Sequence, residues 1–124
     1  MTIRLGIDFG TTRTVVAAQE KGNYPVCTFS REGEVKEYIP TLAAVQDGIL
    51  HFGWDAVDRL HQPGAYLLRS MKRLAGQLRP EDLLELGPDF SITLLELVTF
   101  FLTHVRQMIL KQGNLTLKKK EAIE

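Results

Sequence analysis

The chain has 124 residues, 44% of them hydrophobic, and its 15 Lys and Arg balance 15 Asp and Glu. That length fits one domain with a core of its own. A formal charge of zero, with no basic stripe interleaved with aromatics, argues against nucleic acid, and a single cysteine, Cys27, excludes an intrachain disulfide.

The first elements read as strands. Residues 3–9 form an apolar run that closes on Ile7-Asp8-Phe9-Gly10-Thr11-Thr12-Arg13, and a second strand follows over residues 14–19. Arg4 and Asp8 interrupt the first run, so it is no signal peptide. The turn between the strands carries one carboxylate, one glycine and two hydroxyls. Gly10 lets the backbone approach a ligand closely. The amides of Thr11, Thr12 and Arg13 suit an anion-binding nest. Asp8 suits a divalent cation met through water, because Mg2+ sheds its waters reluctantly. Taken alone, the turn fits a plain hairpin with a solvated Asp as well as it fits a phosphate site. It is neither a P-loop, which ends in Gly-Lys-Ser/Thr, nor the G-x-G-x-x-G dinucleotide fingerprint.

Lys21-Gly22-Asn23 is a turn signal. Residues 24–29 read as a third strand, with Cys27 an inert core residue, a usage that favours a cytoplasmic protein. The polar residues 30–37 read as a loop. A fourth strand covers residues 38–46, Asp47-Gly48 makes a type I′ hairpin turn, and a fifth strand covers residues 49–52. A short helix over residues 53–61 presents Ala56, Val57 and Leu60, and Pro63 interrupts it. Leu67, Leu68, Met71 and Leu74 give a helical stripe over residues 65–74, with Gly76 as a left-handed terminator. Pro80 suits the first turn of another short helix running to residue 86, which Gly87-Pro88-Asp89 breaks.

Thr93-Leu94-Leu95-Glu96 matches a capping box. The helix it opens runs to residue 111, where Gly113 can cap it. Leu94, Leu95, Leu97, Val98, Phe100, Phe101, Leu102, Val105, Met108 and Ile109 make it apolar on most sides, which predicts deep burial. Its greasiest stretch, residues 94–102, contains Glu96 and falls short of the roughly 20 residues a membrane helix needs. Residues 114–124 carry no assignment beyond a solvated charge run, Lys118-Lys119-Lys120.

The turn at Asp8 to Thr12 closely resembles the first phosphate loop of the actin, sugar-kinase and 70-kDa heat-shock ATPase superfamily. Three more segments follow in that family's order. Ile39-Pro40-Thr41 resembles the segment of 70-kDa heat-shock chaperones that leads into a strand through a proline. Phe52-Gly53-Trp54-Asp55-Ala56 resembles their Gly-x-x-Ala step from strand to helix, and Met71-Lys72-Arg73-Leu74-Ala75-Gly76 resembles their Lys-Arg-Leu-Ile-Gly motif. The resemblance covers residues 2–113. It implies an α/β fold, α+β within this chain: an incomplete actin-like ATPase (ribonuclease H-like) fold, with an N-terminal β-sheet followed by helices. It implies core strands over residues 1–37, a small peripheral subdomain over 38–90, and a core helix and tail over 91–124.

The resemblance also implies roles. Asp8 is similar to the carboxylate near the metal. Gly10, Thr11, Thr12 and Arg13 are similar to the loop that holds the phosphates. Lys72 is similar to the catalytic lysine that reaches the γ-phosphate. Arg13 stands where the family has Tyr or Asn, and Ile39 where Thr is common, which marks a divergent member. The second phosphate loop and the adenosine loop are absent, so the resemblance is to an N-terminal fragment, expected to be inactive and to self-associate through apolar surface. The implied longer protein is an ATP-hydrolysing chaperone that uses ATP/ADP with Mg2+ and works with unfolded peptide clients and co-chaperones. A small-molecule kinase or filament protein of the same fold, and a degenerate nucleotide-binding module, are the other readings.

Overall fold

The structure, a computed structural model, describes residues 2–114 and 122–123. The lysine run at residues 118–120 lies outside the described residues. The first apolar run divides at Arg4 into β1 (Thr2–Ile3) and β2 (Leu5–Phe9). Strand β3 (Arg13–Ala18) returns antiparallel to β2, with Leu5 opposite Ala18 and Phe9 opposite Thr14. The two-residue period of a strand sends Thr14, Val16 and Ala18 into the core.

The third strand expected over residues 24–29 does not form as such. The Ala18 amide donates to the Pro25 carbonyl at 2.9 Å and the Cys27 amide to the Val16 carbonyl at 2.7 Å, but Pro25 has no N–H to continue a ladder. Only a bridge between Ala17 and Val26 remains. Cys27 is fully buried, as its apolar neighbours suggested. The expected loop is instead a hairpin of β4 (Phe29–Arg31) and β5 (Glu34–Lys36). Glu32 and Gly33, at φ of 51° and 82°, form its turn.

The fourth expected strand is split in two. Strand β6 (Ile39–Pro40) lies along the start of β3, and β7 (Ala43–Gln46) enters a second sheet. There β7 is central, between β8 (Ile49–Phe52) and β9 (Tyr66–Leu68). Asp47 and Gly48 have φ of 53° and 74°, as a type I′ turn requires.

Short helix α1 (Gly53–Val57) begins where expected but ends early, its continuation being turns. Gly53 has a φ of 59°, and a Cβ there would lie 2.9 Å from Ile39 Cγ2 and 3.0 Å from His104 Nε2. Only glycine fits that strand-to-helix step.

The helix expected over residues 65–74 is corrected. Tyr66 to Leu68 pair with Val45 to Ala43, and helix α2 (Met71–Gln77) starts only afterwards. The open edge of β7 outweighs a short helical stripe, since a few apolar residues fit either period. Gly76 lies inside α2 and is no terminator; Leu78, extended, follows the helix. The short helix after Pro80 is likewise a hairpin, β10 (Leu83–Glu85) with β11 (Ser91–Thr93), turning through residues 87–89.

Helix α3 (Leu94–Gln112) opens on the expected capping box. The Thr93 hydroxyl accepts from the Glu96 amide at 3.1 Å while the Thr93 amide donates to the Glu96 carboxylate at 3.2 Å. Gly113 ends it in an extended conformation and bridges to Phe29. Residues 122–123 form β12 (Ala122–Ile123), parallel to β1. The expected burial of α3 holds for one face only. Leu94, Leu97, Phe101, Val105, Met108 and Ile109 are buried, while Leu95 is 60% and Leu102 42% exposed. Phe101 is the meeting point of the sheets, its ring 5.6 Å from Phe9 on β2 and 5.7 Å from Phe52 on β8.

Two predictions concern stability. Thr93→Ala removes the cap acceptor and lowers unfolding free energy by about 1 kcal/mol in denaturant titration. Burial pushes the His104 imidazole below its usual value, opposed by Asp55, and burial with Arg59 does the same to His51. The unfolded chain therefore takes up these protons first as pH falls. Stability is full above about pH 6.5 and declines on acidification through the lowered folded values. His104→Phe keeps a ring against Phe52 and flattens that decline.

Candidate functional site

The β2–β3 hairpin brings Asp8, Gly10, Thr11, Thr12 and Arg13 together at one end. Gly10 donates its amide to the Arg13 carbonyl at 2.9 Å, which closes the turn. A Cβ on Gly10 would sit 2.3 Å from that same oxygen. The glycine is thus fixed by the tightness of the turn. Asp8, Thr11, Thr12 and Arg13 are all exposed, so their donors and the carboxylate face water from a rigid base.

That base is a joint with the crossover between the two sheets. The Thr41 amide donates to the Thr12 carbonyl at 3.0 Å. The Thr14 and Thr41 hydroxyls, both buried, pair with each other at 2.8 Å. A buried hydroxyl pair of this kind satisfies two polar groups that would otherwise be stranded in the core. Arg13 folds over the Tyr38 ring, its guanidinium carbon 4.3 Å from the centroid. A cation held over an aromatic face keeps its charge at the turn.

Lys72 stands apart. It is the second residue of α2, directly after the fully buried Met71, and its side chain is exposed. It forms no hydrogen bond or ion pair among the described residues. Nothing in the structure joins it to the turn. Arg69 lies in the segment before α2, so it does not share a helix with Lys72 as the sequence suggests.

A cavity of about 360 Å³ opens beside the turn. Thr12 and Arg13 form part of its wall, together with Tyr38, Leu42, Trp54 and Arg69. Sequence reasoning had no route to it, because these residues come from four separated segments. Among the described residues no group of three or more His, Cys, Asp or Glu could hold a metal, so Asp8 would be a lone protein carboxylate. No helix of the described residues is long and apolar enough to cross a membrane.

Comparison with known proteins finds a weak, partial similarity. Over 72 residues, 58% of this chain, the sequence is 32% identical to Chaperone protein HscA of Serratia proteamaculans (strain 568). The matched stretch spans 11% of that chaperone's length. No family model matches the chain.

The joint yields a clean test. Thr14→Val leaves the Thr41 hydroxyl buried without its partner and costs about 1–3 kcal/mol of unfolding free energy. Adding Thr41→Val restores part of that loss, because both polar groups are then gone. Gly10→Ala costs at least about 1 kcal/mol, since the turn must open. Denaturant unfolding of the three variants measures each effect.

Proposed function

We propose that the β2–β3 turn is one side of a nucleotide phosphate site, and that the chain is part of the ATP-binding unit of a chaperone of the 70-kDa heat-shock class, with the actin-like ATPase fold. One observation carries this reading. The turn is held so tightly that only glycine fits at Gly10, and it presents an exposed carboxylate and two exposed threonines at one point. The four-motif resemblance to that class and the similarity to a chaperone support the same conclusion.

In this reading the amides and hydroxyls of Thr11 and Thr12 receive phosphate oxygens, and Asp8 orients the water shell of Mg2+. The bound Mg-nucleotide supplies the phosphoryl group and the charge that these residues balance. Lys72 would approach from α2 as a further positive charge. Phosphoryl transfer depends mainly on such positioning and charge neutralisation. Peptide clients, co-chaperones and a cytoplasmic setting belong to the reading as well. So does self-association of this chain through the exposed Leu95 and Leu102 of α3, which sedimentation equilibrium over a concentration series would detect as mass above the monomer.

The test is turnover. In the longer protein that this reading implies, Lys72→Ala spares ATP binding and slows single-turnover hydrolysis by roughly 10²-fold, the scale of losing one transition-state donor. Hydrolysis at the unaltered rate in that variant defeats the assignment of Lys72. The chain itself is expected to show no measurable ATPase activity and to bind Mg-ATP only weakly in calorimetry, since it supplies one side of the phosphates. Micromolar affinity would show a far more complete site.

A further inference from the structure

We propose that the cavity beside the turn is a binding site for a small organic anion, a carboxylate or phosphate head on an apolar body. The proposal goes beyond the nucleotide reading: the cavity shares Thr12 and Arg13 with the turn, but Asp8 and Lys72 lie off its wall.

The wall divides by chemistry. Leu42, Val57 and Leu60 give it an apolar floor, with Trp54 and Tyr38 beside them. The polar atom of Trp54 is already used: its Nε1 donates to the Tyr38 carbonyl at 3.0 Å. The Tyr38 and Trp54 rings pack at 5.1 Å, and Lys36 covers the Trp54 ring at 4.7 Å. Trp54 is thus locked in place and offers the cavity apolar surface. A volume near 360 Å³ sits at the lower end of small-molecule pockets, which pair apolar walls with a few placed polar groups.

The charged groups here are two guanidinium ions. Arg13 and Arg69 both line the cavity and both are exposed. Neither pairs with a carboxylate among the described residues. Two other arginines are compensated: Arg31 is held by Asp55 and Asp58, and Arg79 by Glu81 and Asp82. The acidic residues of α1 and its following turn are thereby engaged by Arg31 and leave the cavity positive. The Tyr38 ring accounts for the position of Arg13, but no partner among the described residues accounts for Arg69. A planar guanidinium fork beside an apolar floor matches a carboxylate or phosphate with an apolar tail.

Trp54 is the single tryptophan of the chain, so its fluorescence reports on this cavity alone. The experiment titrates the protein with 4-phenylbutyrate and, separately, with the neutral 4-phenylbutanol, in EDTA and without nucleotide. Its outcome is therefore independent of whether the turn takes a nucleotide. Calorimetry reads the same titrations should the fluorescence be silent. The acid is expected to bind saturably and about tenfold more tightly than the alcohol, the worth of one charge-assisted hydrogen bond. Arg69→Gln is expected to weaken the acid about tenfold and leave the alcohol unchanged, with Arg69→Lys intermediate. Arg69 is exposed, and an unchanged thermal midpoint verifies that the variant is folded. Equal affinity for acid and alcohol overturns the proposal. So does the absence of saturable acid binding by either method, or an acid affinity indifferent to Arg69→Gln.

Discussion

Residues 39–42, where the chain leaves one sheet and enters the other, set the geometry of everything near the turn. Pro40 has no amide to extend the β3 ladder, so the strand must end there. Thr41 then makes the connection: its amide ties to the Thr12 carbonyl and its hydroxyl to that of Thr14. One residue later the Leu42 carbonyl accepts the Gly53 amide at 3.0 Å, which anchors the start of α1. Beneath this crossover Phe101 packs between Phe9 and Phe52. Burying such a ring contributes about 1.5–3 kcal/mol. The polar joint fixes position and the aromatic cluster supplies the stability that holds it.

What the sequence makes legible follows from local chemistry. The Asp47-Gly48 turn, the Thr93–Glu96 capping box and the β2–β3 hairpin each depend on a residue type at a fixed offset, and each forms where expected. The misread segments have no such marker. Leu67 and Leu68 sit in a short apolar stretch that fits a helix or a strand, and the free edge of β7 makes the choice. The same holds for Leu83 to Glu85 against β11. The hairpin at Glu32-Gly33 is hidden by polar residues, because only Phe29 of its strands is buried and β5 shows no alternation. Helix α3 looks apolar all round in sequence, yet only one face meets the core. Circumference alone does not say how much partner surface exists.

The site divides in the same way. Gly10 is readable because a tight turn demands it, and Thr11 and Thr12 come with it. The tie to Thr41 is not readable, being a contact across 27 residues of sequence. The cavity walls are assembled wholly by the crossover, and Arg13 links the two features by belonging to both. The proposed phosphate site thus draws on backbone and small side chains at the tip of the hairpin. The neighbouring positive charge rests on side chains placed by the second sheet and the segment before α2.

The central claim is that the Gly10 turn receives the phosphates of a metal-bound nucleotide. Paramagnetic broadening of the amide NMR spectrum by Mn-ATP tests it most directly, because broadening falls off steeply with distance and registers weak binding. The account predicts loss of signal centred on Asp8, Gly10, Thr11, Thr12 and Arg13, with the β4–β5 hairpin and the β10–β11 hairpin unaffected. Broadening centred elsewhere on the chain, or none at high ligand concentration, would contradict it.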